Sequence, residues 1–167
     1  MKKTKKIAHS DLCFLTAQYF LKSAALIEYK SMLVNESPDI LMFDCYSNTT
    51  LFEIKTDKQD FKQDLLKPHR IPYKLDSKNR IKTFKPSLGA NRYYVCIEGL
   101  IKEEDLPMGW GLIYYYDNGS FKIIKKSSVF KIDKGMENRL LINALRKIKY
   151  GKDSNILIRD YKEYEKD

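Results

Sequence analysis

The sequence predicts an α/β (α+β) domain, a mixed sheet flanked by helices, and three observations lead there. Its 167 residues amount to a single domain. Its 43% hydrophobic content is enough to build a core. Helical and alternating apolar patterns succeed one another along the chain as helix, hairpin, helix, strands and helix.

Taken in order, Ser10 serves as an N-cap with Asp11 in the first turn, and apolar residues continue through Ile27. Leu12, Leu15, Tyr19 and Leu26, with Phe20 and Ala24 beside them, give that helix a wide apolar face. Residues 30–38 form a connector. Residues 39–46 (DILMFDCY) and 50–56 (TLFEIKT) read as strands joined at Ser47-Asn48-Thr49, close enough for an antiparallel hairpin. Residues 58–66 form a short helix that stops before Pro68, with Asp57 as its cap. Residues 67–91 are polar and basic, long for a plain loop, and loops of this length are usually functional or mobile. Residues 92–98 (RYYVCIE) are a third strand, 106–109 a turn, and residues 111–117 and 120–126 pair across Asn118-Gly119. Tyr114, Tyr115 and Tyr116 belong to the packing of that strand, and Trp110 anchors the loop before it. Residues 137–150 make a last helix with Leu140, Leu141, Ala144, Leu145 and Ile148 on its apolar side. Residues 1–150 thus form the domain, and 151–167 a charged, frayed tail.

Composition narrows the partners. With 31 Lys+Arg against 22 Asp+Glu the formal charge is +9, which favours a polyanion such as nucleic acid. The same excess of lysine also arises in any chain drawn from AT-rich coding sequence. Cys13, Cys45 and Cys96 are far apart in apolar contexts, which reads as buried thiols in a reducing compartment. With no CxxC pair and only His9 and His69, no structural zinc site is expected. The basic start followed by apolar residues imitates a signal peptide, but Gln18, Tyr19 and Lys22 interrupt the run and no cleavage site follows. A cytoplasmic protein is expected, without a membrane partner, since no run reaches the roughly 20 apolar residues of a span. No phosphate-binding glycine loop is present.

Chemistry concentrates in Glu53-Ile54-Lys55. Strand alternation points Glu53 and Lys55 to one face, with Leu51 on the same face and Phe52 and Ile54 opposite. Taken alone, the tripeptide is as compatible with a surface salt bridge as with a site. Asp39 follows Pro38 at the mouth of the preceding strand, and a tight hairpin brings its carboxylate beside Glu53. Two carboxylates on neighbouring strands can hold Mg²⁺, which takes oxygen ligands. Lys55 could then orient a water or stabilise charge on phosphorus.

Pro38-Asp39 followed by Glu53-Ile54-Lys55 across a hairpin resembles the PD-(D/E)XK nuclease superfamily. The stretches PDILMFD, LFEIKTDKQDFKQD and RYYVCIEG…EEDLPMGWGLIYY are similar to small MmcB-type proteins assigned to DNA repair within it. The resemblance covers about a third of the chain and implies a restriction-endonuclease-like core. It also implies Asp39 and Glu53 as ligands of Mg²⁺ (Mn²⁺ as a substitute), and Lys55 as the catalytic lysine. An acidic residue from the first helix is implied too, for which Glu28 is the best placed and Glu36 a rival. The basic insertion departs from that family's compact segment. Lys67, Arg70, Lys74 and Arg80 of the insertion, with Tyr73 and Phe84 interleaved, and Lys58 and Lys62 of the helix after the motif are the expected nucleic-acid contacts, the alternative for the insertion being a solvated loop. Gln59, on the helix after the motif, is a further polar residue near the site. The activity so implied is metal-dependent hydrolysis of DNA in repair, recombination or mobile-element biology. Two alternatives stand beside it: a nucleic-acid-binding module on the same fold without turnover, and a basic factor that binds or inhibits an acidic protein.

Overall fold

The computed structural model describes residues 7–32, 34, 36–67, 70, 73–75, 81–83, 88–149 and 156–158. Its elements are α1 (His9–Phe20), β1 (Ala24–Ile27), β2 (Ile40–Phe43), β3 (Thr49–Lys55), α2 (Lys58–Leu65), β4 (Tyr73–Leu75), β5 (Ile81–Thr83), β6 (Asn91–Ile97), β7 (Gly111–Tyr115), β8 (Phe121–Lys125), α3 (Lys134–Lys149) and β9 (Ile156–Ile158). Seven strands make one mixed sheet in the order β8-β7-β6-β3-β2-β1-β9, and β4 and β5 make a separate antiparallel pair. The pairs β3–β6 and β6–β7 are parallel and the others antiparallel. A parallel neighbour needs a crossover, and between β3 and β6 the chain passes through α2 and the β4–β5 hairpin. This is an α/β fold.

Alternation along β3 sorts its residues onto the two faces of the sheet, as its sequence predicts. Phe52 and Ile54 join Ile40, Met42 and Val95 in one core, beneath Leu12, Cys13 and Ala17 of α1. Leu51 joins Leu41, Tyr94 and Leu112 in the other, beneath Phe61 of α2 and Leu140 and Ala144 of α3. Helices therefore cover both faces, and the strands between them carry near-continuous apolar runs.

That burial explains a correction at the start of the chain. The first helix ends at Phe20, and Ala24–Ile27, expected as its last turn, is instead β1, paired with β2 on one side and β9 on the other. A strand buried on both faces carries no alternation, so its apolar run reads like helix. The helix N-cap is Ala8 rather than Ser10 and has no side-chain cap. The tail contributes Ile156–Ile158 to the sheet, so this part of it is not frayed. The basic segment 67–91 is not plain loop, because it carries β4 and β5.

Other local expectations hold. Asp57 caps α2, its Oδ1 accepting from Asp60 N–H at 2.8 Å. Asn118-Gly119 turns β7 into β8, with Gly119 at φ 83°. Glu137, buried near the start of α3, accepts from the Thr49 hydroxyl at 2.7 Å and from Gly89 N–H at 2.9 Å. One carboxylate thereby ties α3 to the entries of β3 and β6. Of the cysteines, Cys13 and Cys96 are buried as expected, while Cys45 is exposed. Among the described residues, no helix is long and apolar enough to cross a membrane.

Candidate functional site

The β1–β2–β3 register lines up three carboxylates across the sheet. Ile27 pairs with Ile40 and Ile40 with Phe52, so the next residues in register are Glu28, Asp39 and Glu53. Asp39 Oδ2 accepts from the Ile54 N–H at 2.7 Å, its side chain adding a rung where the β2–β3 ladder ends. The carboxylate predicted to sit beside Glu53-Ile54-Lys55 is thus hydrogen-bonded to the middle residue of that motif. On the β6 side, Glu53 pairs with Tyr94.

Glu53 and Lys55 are only 2% and 3% exposed, beneath α2. Lys55 Nζ lies 3.7 Å from Glu53 Oε2, 3.2 Å from Asp60 Oδ2 and 3.7 Å from Asp64 Oδ1. Burial draws the lysine pKa down, but the carboxylates of Asp64, Glu53, Asp39 and Asp60 outweigh it and raise it above its ordinary value. Lys55 is therefore a fixed ammonium. Burial, reinforced by the Asp39 and Asp64 charges, pushes Glu53 up to about 7 against the pull of Arg70 and Lys55.

Arg70 is the residue that the sequence misplaced. Expected as a nucleic-acid contact, it is buried, because three acids from separate elements converge on its guanidinium. Its Nη2 meets Glu53 Oε1 at 2.6 Å, Nη1 meets Glu36 Oε1 at 2.7 Å, and Nε meets Asp64 Oδ2 at 2.8 Å. The Trp110 ring, stacked on Tyr94, lies under it at 4.6 Å. Tyr94 donates its hydroxyl to Asp64 Oδ2 at 2.5 Å. Glu36 is held between Arg70 and the fully buried Arg92, whose Nη2 lies 2.5 Å from Glu36 Oε2. This places the rival acid inside an ion-pair network.

Glu28 is the acid that reaches Asp39's neighbourhood. It follows β1 rather than ending a helix, with φ 47°. His9 of α1 lies between the two, with Nδ1 3.4 Å from Glu28 Oε1 and Nε2 3.4 Å from Asp39 Oδ2. Its contact with Asp39, with the Asp39 and Glu28 charges adding, raises the His9 pKa in spite of burial.

Lys58, Lys62 and Lys67 are exposed on or just after α2, and Lys67 Nζ reaches Asp64 Oδ1 at 2.5 Å. Gln59 is exposed beside them. Lys74 lies on β4 with its side chain outside the described residues, and Arg80 and His69 lie outside them altogether. Asp39, Glu53, Lys55 and Glu28 are thus gathered at one end of β1–β3. Asp64, Tyr94, His9 and Glu36 complete the surroundings, and of these only Glu36 was signalled by the sequence.

No family model matches the chain, and no curated protein matches it. Among solved structures it is similar to a protein of unknown function from Silicibacter pomeroyi. The two are 13% identical with a TM-score of 0.52, over 89% of this chain and 94% of the other. That likeness concerns the α/β fold.

Proposed function

We propose that this protein is a Mg²⁺-dependent nuclease-type phosphodiesterase acting on DNA in the cytoplasm, in repair, recombination or mobile-element biology. The observation that carries the reading is the 2.7 Å hydrogen bond from Ile54 N–H to Asp39 Oδ2, which ties a second carboxylate to the strand segment that carries Glu53 and Lys55. Oxygen donors of this kind suit Mg²⁺. Asp39 and Glu53 would hold the ion, and Oε2 is the Glu53 oxygen that Arg70 leaves uncovered. When bound, Mg²⁺ polarises a phosphodiester and lowers the pKa of its water. Lys55, kept charged by four carboxylates, is placed to stabilise the negative charge that builds on phosphorus. Arg70 and Asp64 position Glu53 and Lys55 from behind. The exposed Lys58 and Lys62 of α2 offer phosphate contacts nearby.

The test is a nicking assay on supercoiled DNA with untagged protein in Mg²⁺ or Mn²⁺. Wild type should nick or cut. Glu53→Ala and Lys55→Ala should lower the rate by at least about 100-fold, the scale of removing one group that stabilises developing charge. Equal cleavage by wild type and variants would remove these residues from the chemistry.

A second reading, a nucleic-acid-binding module without turnover, draws on the Arg70 guanidinium at 2.6 Å from Glu53 Oε1, which neutralises one ligand. Calorimetric titration separates the two: DNA binding with no heat on adding Mg²⁺ favours the module.

A further inference from the structure

A second cluster of chemistry lies on the α1 side, formed by residues that the sequence leaves unconnected. His9 and Cys13 are one helical turn apart on α1, so they share a face, and Glu28 meets them from the end of β1. The ligand atoms of these three side chains all lie within 4.8 Å of one another. His9 Nδ1 is 3.6 Å from Cys13 Sγ and 3.4 Å from Glu28 Oε1.

We propose that His9, Cys13 and Glu28 form a binding site for a zinc-class divalent cation, distinct from the Mg²⁺ site and not dependent on the nuclease reading. The donor set of imidazole, thiol and carboxylate matches zinc, a borderline-soft cation, and does not match Mg²⁺. The geometry agrees. With zinc bonds of about 2.0–2.3 Å, a tetrahedral site has an N···S edge of about 3.6 Å and an N···O edge of about 3.4 Å. Two edges of the triangle already have these lengths.

Three further observations point the same way. Nδ1 of His9 faces both a thiol and a carboxylate, yet a proton on Nδ1 or on the thiol serves one such contact at a time. A cation at the centre of the triangle engages all three donors. On the other side of the ring, Nε2 faces Asp39 Oδ2 at 3.4 Å, the carboxylate–histidine–metal arrangement that sets the tautomer and orientation of a ligating histidine. Glu28 also holds a left-handed backbone, φ 47°, unusual for a residue with a side chain. Regular continuation of β1 would send its side chain to the α2 side, where Leu26 points; instead it meets His9 of α1.

Binding exchanges the Cys13 proton for the metal, with the proton released to buffer. Three protein ligands leave one tetrahedral position for water. His9 and Glu28 are partly exposed and form the mouth of the site, with Cys13 at its buried base. Bound metal on Nδ1 would hold the remaining proton on Nε2, where it donates to Asp39, so occupancy of this site would orient a carboxylate of the other.

The experiment is titration of the untagged, chelator-stripped full chain with Zn²⁺ by calorimetry and with Co²⁺ by absorption. Titrated in excess Mg²⁺, which would occupy the proposed Asp39–Glu53 site, wild type should bind one such ion per chain and show a thiolate-to-cobalt charge-transfer band. Cys13→Ala should abolish the band, and His9→Ala should weaken Zn²⁺ binding strongly. Asp39→Asn should weaken it roughly 10- to 100-fold, as loss of an outer carboxylate does. Cys45→Ser, at the exposed cysteine, should change nothing. Absence of the band in wild type overturns the site, as does a band that survives Cys13→Ala and vanishes in Cys45→Ser. If Cys13→Ala fails to fold by circular dichroism, Glu28→Gln decides: unchanged Zn²⁺ affinity overturns the site, and weakened affinity supports it.

Discussion

Asp64 illustrates what individual side chains do here. It is fully buried, and burial alone would raise its pKa, but the charges of Arg70 and Lys55 and hydrogen bonds from Lys67 and Tyr94 hold its carboxyl well below the ordinary value of 3.8. A depressed carboxylate contributes stability that is complete above its unfolded pKa and is lost as pH falls through that value toward the folded one. Asp64→Asn should therefore be less stable than wild type at neutral pH by about 3–5 kcal/mol, the scale of breaking a buried ion pair. The gap should narrow as pH falls below about 4, because the wild type then gives up the same charge. Urea midpoints from neutral pH to acid, with chelator present, read this directly; parallel curves would mean that Asp64 carries no linked charge. Nothing near Asp64 in the sequence distinguishes it from Asp60 on the same helix. It is selected by the partners that α2 meets after folding.

At the scale of elements, the site depends on how closely β6 is brought to β3. Gly89, just before β6, has φ 73°, and a Cβ there would fall 2.4 Å from Leu51 Cβ, on the strand that carries Glu53. Gly119, in the β7–β8 turn, has φ 83° but no atom within 4 Å of the same position. Gly119→Ala should therefore cost only the left-handed backbone penalty, about 1–2 kcal/mol. Gly89→Ala adds core overpacking and should cost about 2–5 kcal/mol in all. Thermal and denaturant melts of the two variants provide the comparison, and equal losses would mean that Leu51 gives way freely. The turn glycine was legible because Asn-Gly between alternating strands is a local signal. Gly89 was not, since its crowding comes from a strand about forty residues earlier.

For the molecule as a whole, the +9 charge predicts the form that the proposed DNA binding should take. Lys58 and Lys62 are exposed on the α2 whose buried side carries Phe61 and Asp64. Each phosphate contact contributes about 0.9 to the slope of log affinity against log salt, so Lys58→Gln with Lys62→Gln should lower that slope by about 2. Fluorescence anisotropy from about 50 to 200 mM salt measures it. An unchanged slope would assign these lysines to solvation alone. Absence of DNA binding even at the low-salt end would favour an acidic protein partner.

The sequence by itself determined the features whose cause is local. The β2–β3 hairpin, the shared face of Glu53 and Lys55, the Asp57 cap and the Asn118-Gly119 turn follow from residues a few positions apart, and alternation and turn chemistry act over that range. Asp39 beside the motif also followed, because hairpin register is set by a short turn. Tertiary structure decided the rest. It made Ala24–Ile27 a strand by giving it neighbours on both sides. It turned Arg70 from a surface cation into the buried hub of Glu36, Glu53 and Asp64. It also joined His9, Cys13 and Glu28 at one corner of the sheet. These pairings have no period in the sequence, because long-range charges and ligands find one another only after the core has fixed which strands and helices are neighbours.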